Sequence, residues 1–172
     1  MKTILRFFAI AALALGLSSC LFKDPIFTGG FLTTDPAVAG VWMTEDESGD
    51  ARGREFAVLA PVGNDAFMLN YPAGEKNGSY FEVRPLKIGD KDIWQVRLTA
   101  TFEDGLPKSD TPAYTLLLVE KSSEGKLGIR PLKTEGDHTS SAAATKKALE
   151  DKSPDWNKLF GEAKTFVRLK DR

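Results

Sequence analysis

Ile93-Trp94-Gln95-Val96-Arg97-Leu98-Thr99-Ala100 is the stretch that decides the fold class. Trp94, Val96, Leu98 and Ala100 fall on one side of an extended chain, and Gln95, Arg97 and Thr99 on the other. That period of two belongs to a β-strand with one face turned to a core. Gly89-Asp90-Lys91-Asp92 stands before it and reads as the hairpin turn from a preceding strand. Working outward, short apolar runs split by turn residues recur at 41–44, 55–60, 66–71, 80–88, 113–120, 126–132 and 165–170. With 93–100 these make eight strands, an all-β pattern. Leu116-Leu117-Leu118-Val119 is apolar on both faces. It reads as a strand covered on both sides or, failing that, as a partner interface.

Two stretches resemble each other. Ala66-Phe67-Met68-Leu69 leads to Val83-Arg84-Pro85-Leu86-Lys87, and Ala113-Tyr114-Thr115-Leu116 leads to Ile129-Arg130-Pro131-Leu132-Lys133. In both, the apolar parity changes at the proline, which predicts a bulge or corner there. Helix is expected only late. Ser140 or Ser141 can cap residues 142–151, and a second short turn carries Trp156, Leu159 and Phe160 before Gly161 stops it. Those three apolar residues are placed to cover one side of the sheet. The predicted fold class is mainly β: a single antiparallel eight-stranded barrel or a small β-sandwich, with a short helix before the last strand.

Gly40-Val41-Trp42 opens the first strand, and Arg168 lies in the last. Between them, Ser109-Asp110-Thr111-Pro112-Ala113-Tyr114 places a tyrosine four residues after an aspartate. In this order the residues resemble the three motifs of the lipocalin superfamily, although serine replaces threonine in the second and a proline intervenes. The resemblance spans residues 40–170. It implies an eight-stranded up-and-down barrel with Gly40, Trp42, Tyr114 and Arg168 as structural motif residues. It also implies that Arg168 packs over Trp42, a cation–π contact of about 0.5–2 kcal/mol.

The N-terminus reads as an address. Lys2 and Arg6 precede an uncharged apolar run at 7–17, too short to span a bilayer. Leu17-Ser18-Ser19-Cys20 follows and resembles the lipobox of bacterial lipoproteins. The resemblance implies a signal peptide over 1–19 and lipidation (palmitate among the acyl chains) at Cys20. The mature chain is then held to a membrane by its N-terminal lipid. Leu21, standing where an aspartate would signal inner-membrane retention, implies the outer membrane facing the periplasm. Residues 20–38 read as a lipidated flexible tether of about 25 Å end to end, and 39–172 as the barrel-like domain. Phe22, Ile26, Phe27, Phe31 and Leu32 suit either the bilayer surface or a barrel mouth.

Composition supports one ordinary domain: 172 residues, 42% hydrophobic and 27% charged. Removing residues 1–19 takes two of the 23 basic residues and none of the 24 acidic ones, so the net charge moves from −1 to −3. Nucleic acid is therefore not an expected partner. One cysteine excludes an intrachain disulfide and any multi-cysteine metal site. The one histidine, His138, lies in a polar loop and reads as a loop residue rather than a catalytic base. Glu45-Asp46-Glu47 with Asp50 lacks the spacing of a calcium loop. No cofactor motif, catalytic residue or metal site is expected, and the chain reads as a non-enzyme. Phe56, Phe67, Phe81, Trp94 and Tyr114 would line a cavity or fill the core. The expected function is a lipid-anchored envelope protein whose lipocalin-like domain binds a small apolar ligand. The alternative is a structural or assembly lipoprotein that binds another envelope protein.

Overall fold

A computed structural model describes residues 22–45, 54–108, 113–121, 125–133 and 141–169. Among the described residues nine strands run in chain order: β1 Gly40–Thr44, β2 Phe56–Val62, β3 Ala66–Tyr71, β4 Ser79–Ile88, β5 Lys91–Glu103, β6 Leu106–Lys108, β7 Ala113–Lys121, β8 Lys126–Pro131 and β9 Lys164–Arg168. Helices α1 (Ala142–Leu149) and α2 (Trp156–Leu159) lie between β8 and β9. All strand pairings are antiparallel. The order β4-β3-β2-β1-β9-β8-β7-β5 closes through β4–β5 into an eight-stranded barrel. β6 is the additional strand, a short arm on the far end of β5.

The barrel has an apolar interior and a second core outside it. Trp42, Phe67, Val83, Trp94, Val119 and Phe166 are among the residues that fill the interior. Outside, Leu86, Ile93, Leu116, Leu118 and Leu132 are covered by Ile26, Phe27, Leu149, Leu159 and Phe160. The run at 116–119 is therefore covered on both sides, with Leu117 and Val119 inward and Leu116 and Leu118 outward. Trp156, Leu159 and Phe160 belong to that outer cover, with Trp156 and Phe160 stacked at 6.0 Å.

The second core corrects the expectation of bulges at Pro85 and Pro131. β4 pairs with β5 in unbroken register through Pro85, and the one irregularity lies at Tyr80/Phe81. Val83 and Ile129 point inward while Leu86 and Leu132 point outward, as simple alternation requires. The apolar parity changes because the outer face becomes covered along these strands, not because the strand slips.

Residues 22–38 do not form a free tether. Phe22 exchanges two backbone hydrogen bonds with Tyr114, each 2.8 Å, on the edge of β7. The chain then crosses the outside of β5, where the buried Gln95 accepts from Phe27 N–H at 2.7 Å and donates to Phe27 C=O at 3.0 Å. It continues past β4, with Leu32 N–H on Pro85 C=O, and reaches the β2–β3 turn, with Thr34 N–H on Asn64 C=O. Phe22, Ile26, Phe27 and Phe31 in this strap find cover on the outer face of the barrel, while Leu32 stays exposed.

Pro36–Val38 is a 3₁₀ turn that closes one end of the barrel. Asp35 caps it by accepting from Ala37 N–H at 3.0 Å and pairs with Lys121 at 3.2 Å. The bond from Ala37 and then the Lys121 ammonium hold the Asp35 carboxyl below its ordinary range. Val38 is buried in the barrel interior and forms its floor at this end.

Candidate functional site

The inward-facing side chains differ in how deeply they are buried. Trp42, Leu59, Phe67, Val83, Trp94 and Val96 are buried. Leu69, Tyr71, Phe81, Leu117 and Ile129 pack on the same core yet are only half-buried. Leu98, the cross-strand partner of Phe81, is half-buried as well. These half-buried inward side chains form the candidate site, a cup in the sense of apolar interior surface that still meets solvent. Its floor carries Phe67 and Trp94, with ring centroids 6.3 Å apart.

One polar group sits at the cup's rim. Tyr71, the last residue of β3, donates its phenol proton to Glu55, just before β2. Lys164, the first residue of β9, donates to Glu55 at 2.5 Å and to the Tyr71 hydroxyl at 2.9 Å. The three side chains tie three strands together where the barrel opens. Desolvation by burial, and then the Glu55 carboxylate, push the Tyr71 phenol far above its ordinary range. Tyr71 is thus a neutral donor at any physiological pH. Lys164 spends two of its three ammonium donors within this group. The site offers an apolar cup with a polar rim, which suits an amphipathic or apolar small molecule.

Three of the four motif residues meet at the closed end instead. Trp42 stands directly opposite Arg168 across β1–β9. Its indole N–H donates to Val38 C=O at 2.9 Å, and the Arg168 guanidinium donates to Ala37 C=O at 3.0 Å. Gly40 has φ +135°, and a Cβ there would lie 3.2 Å from Arg168 Nε. Glycine is needed for that backbone and for the guanidinium lying over it. The group latches the 3₁₀ turn to the barrel, a structural task. Tyr114 lies elsewhere, on the outer face of β7 at the open end, bridged to Phe22 and paired with Arg97.

The remaining sequence expectations are spread more widely. Phe67 and Trp94 are buried, Phe81 faces the cup, and Phe56 is exposed. Glu45 pairs with Lys126 at 2.8 Å. Cys20, Asp46, Glu47, Asp50, residues 109–112 and His138 lie outside the described residues. Among the described residues no group of His, Cys, Asp and Glu could hold a metal, and no helix is long and apolar enough to cross a membrane.

Glu55, Tyr71 and Lys164 escaped the sequence reading. Glu55 and Lys164 are 109 residues apart, and only barrel closure makes them neighbours. Their one local signal is position, since each flanks a strand at the same end. Neither a protein-family model, nor a curated protein, nor a solved structure matches the chain. The closed eight-stranded up-and-down barrel is consistent with a lipocalin-like fold.

Proposed function

We propose that this chain is a lipid-anchored envelope lipoprotein whose barrel binds a small apolar ligand in the cup at its open end. The observation that carries the reading is the uneven burial of the inward face. Side chains such as Phe67 and Val83 are sealed, while Leu69, Phe81, Leu117 and Ile129 keep solvent contact that a ligand would remove. The polar rim supports a binding role, since Glu55, Tyr71 and Lys164 hydrogen-bond to one another beside the apolar surface. Titration of the purified protein with a fluorescent fatty acid tests it. Saturable quenching of Trp94 emission is the expected result, and its absence sinks the reading.

A second reading has its own observation. Among the described residues nothing covers the outer face of β9, β1 and β2, whereas the opposite side of the barrel is covered, and Val41, Phe56, Val62 and Leu169 are exposed on or beside it. Such a strip supports the alternative of an assembly lipoprotein that binds another envelope protein. In-cell crosslinking from Val58 would then trap a partner, and recovery of monomer alone would count against it.

A further inference from the structure

The strap and the β5–β6 arm share an end of the barrel. Phe22 is fixed to Tyr114 by two backbone hydrogen bonds, so the chain before it leaves beside the cup's mouth. Only Leu21 separates Phe22 from Cys20, a reach of at most about 7 Å. Under the lipoprotein reading the anchor therefore sits next to the mouth, with no long tether between membrane and barrel.

At the same end Leu106 is 71% exposed, the most exposed large apolar side chain among the described residues. It follows a tight turn in which Asp104 and Gly105 take φ of 52° and 80°. The arm is held stiffly. Phe102 N–H donates to Gly78 C=O, Gly105 N–H to Lys76 C=O, and Asp104 N–H to the Asn77 side chain. Phe102 packs edge-on against Tyr80 at 5.5 Å. A leucine presented on such an arm cannot fold back onto the core. Leu106 pairs with Glu103, six residues beyond Arg97 on β5, whereas Phe22 sits level with Arg97 through Tyr114. The tip therefore projects further outward than the point where the chain departs.

From this geometry we infer that the mouth end of the barrel docks on the bilayer that holds the chain's own lipid anchor, with Leu106 inserted at the tip of the arm. The inference rests on the lipoprotein reading and goes beyond it by setting the orientation of the cup, which then opens toward lipid. A single leucine is far too small for a stable protein interface, which buries about 800 Å² per partner. It is sufficient for an interfacial contact when an acyl anchor supplies the residence time. Glu103 and Lys108 offset each other across the arm at 3.2 Å. Asp104 at the tip and the mature net charge of −3 give no attraction to anionic lipid, so a phosphatidylcholine surface is the matching partner.

The experiment uses the full chain, purified with its anchor and reconstituted into phosphatidylcholine vesicles. Leu106→Cys is labelled with a polarity-sensitive thiol fluorophore, and Asp90→Cys reports from the opposite end, where Asp90 is 81% exposed. The 106 label is expected to shift to the blue and to be quenched severalfold by spin-labelled lipid, while the 90 label is unaffected. Equal solvent exposure of the two labels overturns the docking. A blue-shifted 106 label that lipid quenchers do not reach also overturns it, in favour of a protein partner or a second copy. The unsubstituted chain, whose one cysteine is Cys20, reports separately. Uptake of label there removes the anchor and the docking with it, and no uptake supports the anchor, with the docking decided by the 106 label. A fatty-acid titration of the same sample tests the cup on its own.

Discussion

Tyr71 shows how a single side chain ties the site's protonation to stability. Its phenol is raised far above the ordinary tyrosine range, first by burial and then by the Glu55 carboxylate that accepts its proton. Below about pH 10 the folded and unfolded chains both keep that proton, and the contribution to stability is constant. Above it the unfolded chain ionises while the folded chain does not, so stability falls as pH rises through that range. Tyr71→Phe should flatten this alkaline decline in urea midpoints measured from pH 8 upward. It should also remove the latest-titrating tyrosinate absorbance. An unchanged alkaline slope would show that Tyr71 is not held as described. The closed end contrasts with this site in how far it was legible. Gly40-Val41-Trp42 carries a local reason, a backbone φ of +135° under the Arg168 guanidinium, and a short motif can encode that. The Glu55–Tyr71–Lys164 group has no local reason and was hidden.

Among the elements, the strap depends on one buried amide. Gln95 is 5% exposed and meets Phe27 with both its oxygen and its nitrogen, much as a neighbouring strand would. Gln95→Leu leaves the Phe27 N–H and C=O without these partners beneath the strap, a cost of about 1–3 kcal/mol. Gln95→Glu retains an acceptor for Phe27 N–H and loses the donor to its C=O, so its effect should be distinct. Hydrogen exchange at the Phe27 amide should accelerate in Q95L, with earlier proteolysis between residues 22 and 34. Protection equal to the unsubstituted chain would refute the clamp. Gln95 was read from its sequence as part of a polar outer face, since period-two alternation cannot say what covers that face. The same blindness produced the expected bulges at Pro85 and Pro131. Leu86 and Leu132 are apolar because the strap and helices lie over them. The strands themselves were legible because alternation and turn residues are local, and β6 had a readable signal in Asp104-Gly105, a favoured hairpin pair.

For the whole molecule, the barrel divides its aromatic residues between two jobs, and the division can be measured. Phe67 is 1% exposed on the floor beside Trp94, whereas Phe81 is half-buried on the wall of the cup. Truncating Phe67 to alanine opens a void in a closed core and should cost about 3–5 kcal/mol. Truncating Phe81 removes apolar surface that already meets solvent, so about 1–2 kcal/mol is expected. Ligand binding should respond in the opposite order. F81A enlarges the cup and should change the affinity for a fluorescent fatty acid and the chain length preferred. F67A should leave that preference intact wherever the protein remains folded. Urea unfolding and fatty-acid titration on the two variants give both readings. Equal stability costs with no change in binding would mean that the interior is one continuous core, and the cup would lose its meaning as a site. A crossed pattern would establish that the sealed half supports the fold and leaves the open half available for a ligand.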